Sequence, residues 1–361
     1  MVTRSRRRPA LLGAALLALL ASACSPRPPA TTPVATAGSP APGSIAPAST
    51  PPAGPTPGAT PAPAETPAPT PEATLAGETP TATPTPAPTP APPAVLVGAG
   101  DIGECGTGGP AATARVIRRV LREHPEAIVF TAGDNAYPDG SSADFARCYD
   151  PWWGRFLDRT RPAAGNHEWH TRDAAGHRAY YGDRAGTKSR TWYAYNAGSW
   201  RVIVLDSDCG EVGGCGPSSR QGRWLAAELA AHPAACTLAI WHHARFSSGP
   251  HGNQETAAPL FDVLYAAGAD VVVSGHDHDY ERFAPQDPAG RADPVRGIRE
   301  FVVGTGGGHL YPVVSVKRNS QVRENGTFGV LVLELQEGSY AWRFEPAGDG
   351  TFTDAGKGSC H

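Results

Sequence analysis

Six short apolar runs in this chain end in polar turns, and four of those turns are opened by a glycine: "AVLVGAGD", "AIVFTAGDN", "RPAAGNHE", "RVIVLDSD", "CTLAIWHH" and "DVVVSGHDH". Between some of them, at 111–122, 218–231 and 255–267, apolar residues recur three or four apart, the spacing of one helix face. Strands alternating with helices predict a layered α/β fold rather than an all-β one. The C-terminal third reads differently. "REFVVGTGG", "FGVLVLELQ" and "SYAWRFEP" are β-rich with no good helix between them, which predicts antiparallel additions. Two mixed β-sheets packed face to face, with helices outside, accommodate both halves.

The ends of the chain confine this fold to its C-terminal part. Arg4, Arg6, Arg7 and Arg8 precede an apolar run at 11–23 that is shorter than the ~20 residues of a membrane span, so residues 1–24 read as an export signal. "ASAC" resembles a bacterial lipobox with Cys24 as the lipidated residue. Leu20 lies one place too far from the cysteine, however, and "ASA" would also serve plain signal cleavage. Residues 25–93 are almost wholly Pro, Thr, Ala, Gly and Ser, a composition that cannot bury enough surface to offset its ordering entropy. A disordered stalk is expected there, with threonines suited to carrying sugars. Residues 94–361, roughly 270 in number, suffice for one large domain. The expected location is extracellular or at the cell surface, with membrane contact only through a lipid at Cys24.

The formal net charge of −3 gives no electrostatic reason to expect nucleic acid as a partner. Of the seven cysteines, Cys105, Cys148, Cys209, Cys215, Cys236 and Cys360 remain beyond Cys24. An even set in an exported domain favours disulfides, although six cysteines allow about 15 pairings. Cys209 and Cys215 bracket the flexible "GEVGG", and the pairs expected beside that one are Cys105–Cys148 and Cys236–Cys360.

In open α/β sheets reactive groups collect at the carboxyl ends of strands. Here those ends carry Asp101, then Asp134 and Tyr137, Asn166 and His167, His242, and finally His276 and His278. Taken singly, Gly-Asp and Gly-Asn are ordinary turns. Together the residues supply carboxylates, an amide oxygen, a phenol and imidazoles, which suit Fe, Mn or Zn better than Ca. Two ions roughly 4 Å apart need a bridging carboxylate and separate caps, and this set is sufficient for that.

The blocks "GDIG", "GDNAY", "GNHE", the His242 strand and "GHDH" resemble those of the calcineurin-like metallophosphoesterases. Gly103 in the first block and Tyr137 three residues after Asp134 make the resemblance specifically one to the purple acid phosphatase branch. It covers residues 95–280 and implies the four-layer α/β/β/α metallophosphoesterase fold. It also implies that Asp101, Asp134, Tyr137 and His278 hold a ferric ion, Fe(III), and that Asp134 bridges to a divalent Fe, Zn or Mn. Asn166, His242 and His276 would complete that second site. His167 would face the substrate as a phosphate-oxygen donor or leaving-group acid. His251, nine residues after His242, would be a second substrate-side histidine, unless it is a surface residue of the glycine-rich loop "SSGPHGN". His243 reads as a supporting residue, and His170, His177 and His309 as surface or loop residues. Arg282 reads as structural, with Asp279 or a phosphate as its candidate partner, and "GTGGGH" as a turn near the site.

The implied reaction is hydrolysis of a phosphate ester by a metal-bound hydroxide, with no covalent phosphoenzyme. A phosphomonoesterase is expected first, and a phosphodiesterase or nucleotide hydrolase of the same fold stays open. Loops 171–190 and 209–220 are the expected selectors. A non-catalytic cell-surface binding module is the alternative of another class, set against the complete set of donors.

Overall fold

The computed structural model describes residues 92–361; the signal-like segment, Cys24 and all but the last residues of the Pro-rich stretch lie outside them. Among the described residues the strands are β1 (Ala94–Ala99), β2 (Ile128–Ala132), β3 (Thr160–Ala163), β4 (Tyr193–Ala197), β5 (Trp200–Val204), β6 (Cys236–His243), β7 (Val271–Gly275), β8 (Tyr280–Phe283), β9 (Arg299–Val303), β10 (Ser320–Glu324), β11 (Gly329–Gln336), β12 (Ser339–Pro346) and β13 (Ala355–Ser359). They form a six-stranded sheet in the order β13-β12-β11-β1-β2-β3 and a seven-stranded sheet in the order β10-β8-β9-β7-β6-β5-β4.

Each sheet has a parallel centre and antiparallel flanks. In the first, β1, β2 and β3 run parallel, while β11, β12 and β13 add antiparallel strands beyond β1. In the second, β5, β6, β7 and β9 run parallel. The run "REFVVGTGG" was expected as an antiparallel addition, but β9 lies parallel to β7; the antiparallel neighbour is β8, which follows β7 after four residues.

The unbroken apolar runs follow from burial on both faces. Along β6, Leu238 and Ile240 pack into the core between the sheets, while Ala239 and Trp241 face the outer core; β7 divides Val271 and Val273 from Val272 in the same way. Helix Gly109–Glu123 lays Val116, Ile117 and Val120 on the first sheet. Leu225 of helix Arg220–Ala231, which Ser219 caps at Gly222 N, packs on the outside of the second, with Leu260, Phe261 and Leu264 of helix Ala258–Ala266. The result is four layers, α/β/β/α, as expected.

Disulfides join Cys105–Cys148, Cys209–Cys215 and Cys236–Cys360, the three expected pairs, with Cα separations of 4.9, 5.2 and 5.5 Å. The second closes a local loop and the third ties the C-terminal residues to the start of β6. Among the described residues no helix is long and apolar enough to cross a membrane.

Candidate metal centre

Parallel pairing within each sheet brings the carboxyl ends of β1, β2, β3, β6 and β7 to one edge, where the two sheets meet. The division of labour is chemical. The first sheet delivers Asp101, Asp134, Tyr137 and Asn166, which are oxygen donors; the second delivers His242, His276 and His278, which are nitrogen donors. Asp101, Asp134 and His276 take left-handed backbone, with φ of 58°, 47° and 72°. Side chains adopt that region rarely, and it is found where surrounding structure enforces it, often at functional sites. The glycines beside them answer to crowding. A Cβ on Gly275 would stand 2.5 Å from Asp101 Oδ2, and one on Gly165 would stand 2.3 Å from Asp134 Oδ1.

Four donor atoms converge on one point. Tyr137 Oη lies 3.0 Å from Asp101 Oδ1, 3.2 Å from Asp134 Oδ2 and 3.1 Å from His278 Nε2, and His278 Nε2 lies 3.2 Å from Asp101 Oδ1. Ligands about 2.1 Å from a common ion and at right angles are about 3.0 Å apart, so this spacing is that of a coordination polyhedron. A second group adjoins it. His242 Nε2 lies 3.1 Å from Asn166 Oδ1, 3.2 Å from His276 Nδ1 and 3.2 Å from Asp134 Oδ2. Asp134 Oδ2 belongs to both groups, the position of a bridging carboxylate.

The free edges of these side chains are fixed by backbone. Asp134 Oδ1 accepts from His167 N at 2.9 Å, and Asp101 Oδ2 from His276 N at 2.9 Å. His242 Nδ1 is 2.9 Å from Ala132 O and His278 Nδ1 is 2.6 Å from His309 O. A carbonyl only accepts, so each Nδ1 carries a proton and each Nε2 faces the cluster, free to ligate an ion once it gives up any proton of its own.

The electrostatics call for a cation. Burial, then the charges of Asp101 and Asp134, hold the Tyr137 phenol well above its usual range, so a tyrosinate needs positive charge beside it. Burial would raise Asp134, yet His242 and His167 hold it well below the carboxylate range. Burial opposes a proton on His242, but Asp134 outweighs it and pushes the imidazole up to about 10, so a proton is held where an ion would otherwise sit. His276 is driven far down by burial and by His242 and His243, leaving it neutral with a free lone pair. These residues fit a two-ion site. A second grouping of ligand types among the described residues, Cys236, Asp270 and Cys360, does not, because its thiols are spent in a disulfide.

Around the cluster lie residues whose part the sequence did not disclose. Glu168, buried at the end of "GNHE", accepts from Asn135 N, Ala136 N, Gly165 N and Asn135 Nδ2 and so ties the β2 turn to the β3 turn. Burial and the charge of Asp134 raise it to about 8 against these donors. Asp277, between the two histidines of "GHDH", turns the other way. Its Oδ1 accepts from His251 N at 2.9 Å, and its Oδ2 from Gly252 N at 3.2 Å and from Ser247 Oγ. It thereby sets the loop in which the His251 ring lies 4.1 Å from that of His276. Glu104 holds His309 through backbone N and ring Nδ1, and His309 O in turn orients His278. Tyr311 stacks on His278 at 4.0 Å with an interplanar angle of 8°.

A cleft of about 480 Å³ opens over the first group, lined by Tyr137, His167, His278, Arg147, His309 and Tyr311 among others. His167 reaches into it with Nε2 3.7 Å from Asp134 Oδ2 and its ring 4.3 Å from Tyr137. His251 is exposed at the rim, 5.7 Å from the ring of Tyr311. Loops 171–190 and 209–220, expected to select substrate, do not line this cleft; they face each other around a separate cavity. His177, expected at the surface, is fully buried among Phe145 and Tyr181. His309 is exposed as expected, but its carbonyl is part of the site. Arg282 pairs with Asp354 at 2.7 Å rather than with Asp279. His243 bonds Ser207 Oγ at 2.8 Å, a supporting position as expected. The "GTGGGH" run packs behind the cluster, with Gly306 N on Gly100 O and Gly308 N on Asp101 O.

A four-layer α/β/β/α sandwich with this donor set at the seam defines the metallophosphoesterase class. The Calcineurin-like phosphoesterase family matches residues 95–280, and the chain belongs to that family. Within it the similarity runs to purple acid phosphatases. The chain is 27% identical over 207 residues to Purple acid phosphatase 15 of Arabidopsis thaliana, covering 47% of this chain and 38% of that protein. It is 31% identical over 199 residues to the uncharacterized protein Rv2577 of Mycobacterium tuberculosis, covering 44% and 36%. The chain thus spans well under half the length of these curated relatives. In fold it is similar to purple acid phosphatase PPD1 from yellow lupin, with a TM-score of 0.58, 18% identity, and 74% of this chain and 53% of that one covered. GAP50, the anchor in the inner membrane complex of Plasmodium, gives 0.58 and 15%, with 75% and 90% covered.

Proposed function

We propose that this protein is an exported phosphoesterase of the purple acid phosphatase kind, acting first on phosphate monoesters. The observation that carries the reading is Asp134 Oδ2, which is 3.2 Å from both Tyr137 Oη and His242 Nε2 and so joins two donor groups across the seam. Asp101, Asp134, Tyr137 and His278 would hold a ferric ion, and Asp134, Asn166, His242 and His276 a divalent Fe, Zn or Mn. When bound, the ions supply Lewis acidity toward the phosphoryl oxygens and acidify water.

The chain's own residues do the rest. Asp134 and Asp101, each anchored by one oxygen on a backbone N–H, keep the donor groups in register. His167, whose Nδ1–H donates to Pro138 O, offers in its imidazolium form an Nε2–H to a phosphoryl oxygen or a proton to the leaving alcohol in the cleft. His251 closes the opposite rim, held by Asp277. This reading requires no Ser, Cys or Asp nucleophile, so no covalent phosphoenzyme is expected.

Three disulfides suit an oxidising compartment and support export, with residues 1–24 as the signal, 25–93 as a stalk, 94–361 as the catalytic domain and Cys24 as a lipidation site. The test is hydrolysis of p-nitrophenyl phosphate against bis(p-nitrophenyl) phosphate by the purified chain, alongside metal analysis. Faster release from the monoester with two ions per chain is expected. Metal-free, inactive protein after reconstitution would overturn the reading, and faster release from the diester would move it to a phosphodiesterase.

A further inference from the structure

The cavity between loops 171–190 and 209–220 has no part in the reading above. Its volume is about 350 Å³, and its wall includes four cationic side chains, Arg178, Lys188, Arg190 and Arg220, together with Trp169 and Trp192. Elsewhere, seven arginines, Arg119, Arg147, Arg201, Arg245, Arg282, Arg291 and Arg343, each find a carboxylate within 3.0 Å. Among the described residues, none of the four cations of this cavity has one within salt-bridge distance. Arg178 and Arg220 rest instead on backbone, at Thr187 O and Ser189 O, contacts that position a guanidinium without neutralising it.

The two acids of the wall do not restore the balance. Asp173 lies 3.5 Å from Arg172, outside the wall, and Glu211 has no cation of the wall within salt-bridge distance; Asp206, buried behind Trp169 and Thr191 and bonded to both, feels the charge of Arg178 only from beyond that distance. Arg190 lies over the Trp224 ring at 5.2 Å and Arg220 over the Trp192 ring at 5.8 Å. Stacking fixes the plane of a guanidinium; Arg220 spends one N–H of each terminal nitrogen on Ser189 O and Ser189 Oγ, both at 2.9 Å, and keeps a second N–H on each. Two donors are already buried without any acceptor, Arg190 Nε and Trp192 Nε1. A buried unmatched N–H is costly, and these two add to the positive character of a wall whose four cations have no carboxylate within salt-bridge distance.

We infer that this cavity is a second, non-catalytic anion site that takes a phosphate-rich polyanion. The paired oxygens of phosphate match stacked arginines, and a group bearing several charges is favoured by four unpaired cations over a single carboxylate. The cavity shares no wall residue with the catalytic cleft. The short helix Asn166–Trp169 joins them, with Asn166 at the donor cluster and Trp169, bonded through Nε1 to Asp206, in the cavity wall. The ligand is therefore either a distal phosphate of an extended substrate or a free oligophosphate.

Inorganic tripolyphosphate, titrated calorimetrically into the full chain before and after metal chelation, tests the site independently of any hydrolysis. Binding that survives chelation is expected, with affinity at least tenfold lower in Arg190→Gln/Arg220→Gln and hydrolysis of p-nitrophenyl phosphate within twofold of wild type. The exposed single variant Arg220→Gln gives a smaller loss in the same direction should the double variant fold poorly. A KM increase confined to substrates with a second phosphate identifies the substrate arm; lost tripolyphosphate binding with unchanged KM identifies the free anion. No binding after chelation, or equal affinity in the variants, overturns the inference.

Discussion

The first sheet brings oxygen to the candidate centre and the second brings nitrogen, and the two halves are secured differently. On the oxygen side the carboxylates accept from backbone N–H groups and Glu168 ties neighbouring turns together. On the nitrogen side the imidazoles donate outward to carbonyls of other elements, His242 to Ala132 on β2 and His278 to His309. Two of these bonds cross the seam, from His276 N to Asp101 and from His242 to Ala132 O, so neither half is finished without the other. A centre of this kind gains its geometry from sheet packing and its chemistry from the mixture of donors.

The largest expected effect falls on the residue that belongs to both halves. Asp134→Asn removes the charge shared by the two groups. It should lower both metal occupancy and turnover, the latter by on the order of 1,000-fold, or about 4 kcal/mol in the barrier. Full metal content with near-normal rates in this variant would break the comparison at its centre.

Next in size is the nitrogen side. His251→Ala should reduce kcat/KM roughly 100-fold, and Asp277→Asn roughly tenfold with both ions retained. Because Asp277 holds the His251 loop, adding Asp277→Asn to His251→Ala should cost almost nothing more. Additive losses would mean that Asp277 works through another group.

The oxygen side has its own weakness in acid. His177 lies fully buried beside Tyr181, whose hydroxyl donates to Asn135 beneath the Asp134 turn, and burial holds His177 down at about 3. The unfolded chain therefore takes up a proton near pH 6.5 that the folded chain refuses until about pH 3. Stability should be fully present above pH 6.5 and fall through this window, by about 2 kcal/mol between pH 6.5 and 5. Denaturant titrations of wild type and His177→Phe at the two pH values would measure it. Equal acid sensitivity in both would assign the loss elsewhere.

The same asymmetry explains what could be read in advance. Every candidate donor sits at or just after the end of a strand, so five short blocks disclosed the cluster, and unbroken apolar runs disclosed strands buried on both faces. Asp277 and Glu168 were written inside those blocks, but apart from Gly165, three residues before Glu168, the groups their carboxylates hold lie 25 or more residues away and leave no local pattern. Tyr311 and His309 reach the site through β9 and a glycine run whose packing depends on the second sheet. His177 looks like a surface residue until Phe145 and Tyr181 close over it, and loops 171–190 and 209–220 looked like cleft walls until their separate cavity was seen. The parallel placement of β9 depends on β8 folding back beside it, a matter of topology rather than periodicity.

The central claim is that two ion sites share Asp134 yet draw on different histidines. The most direct measurement is the metal content of purified His276→Ala, with its visible absorption. The account predicts that occupancy falls from two ions per chain to one and that the tyrosinate band persists, because Tyr137, Asp101 and His278 are untouched. Loss of both ions, or retention of both, would contradict it.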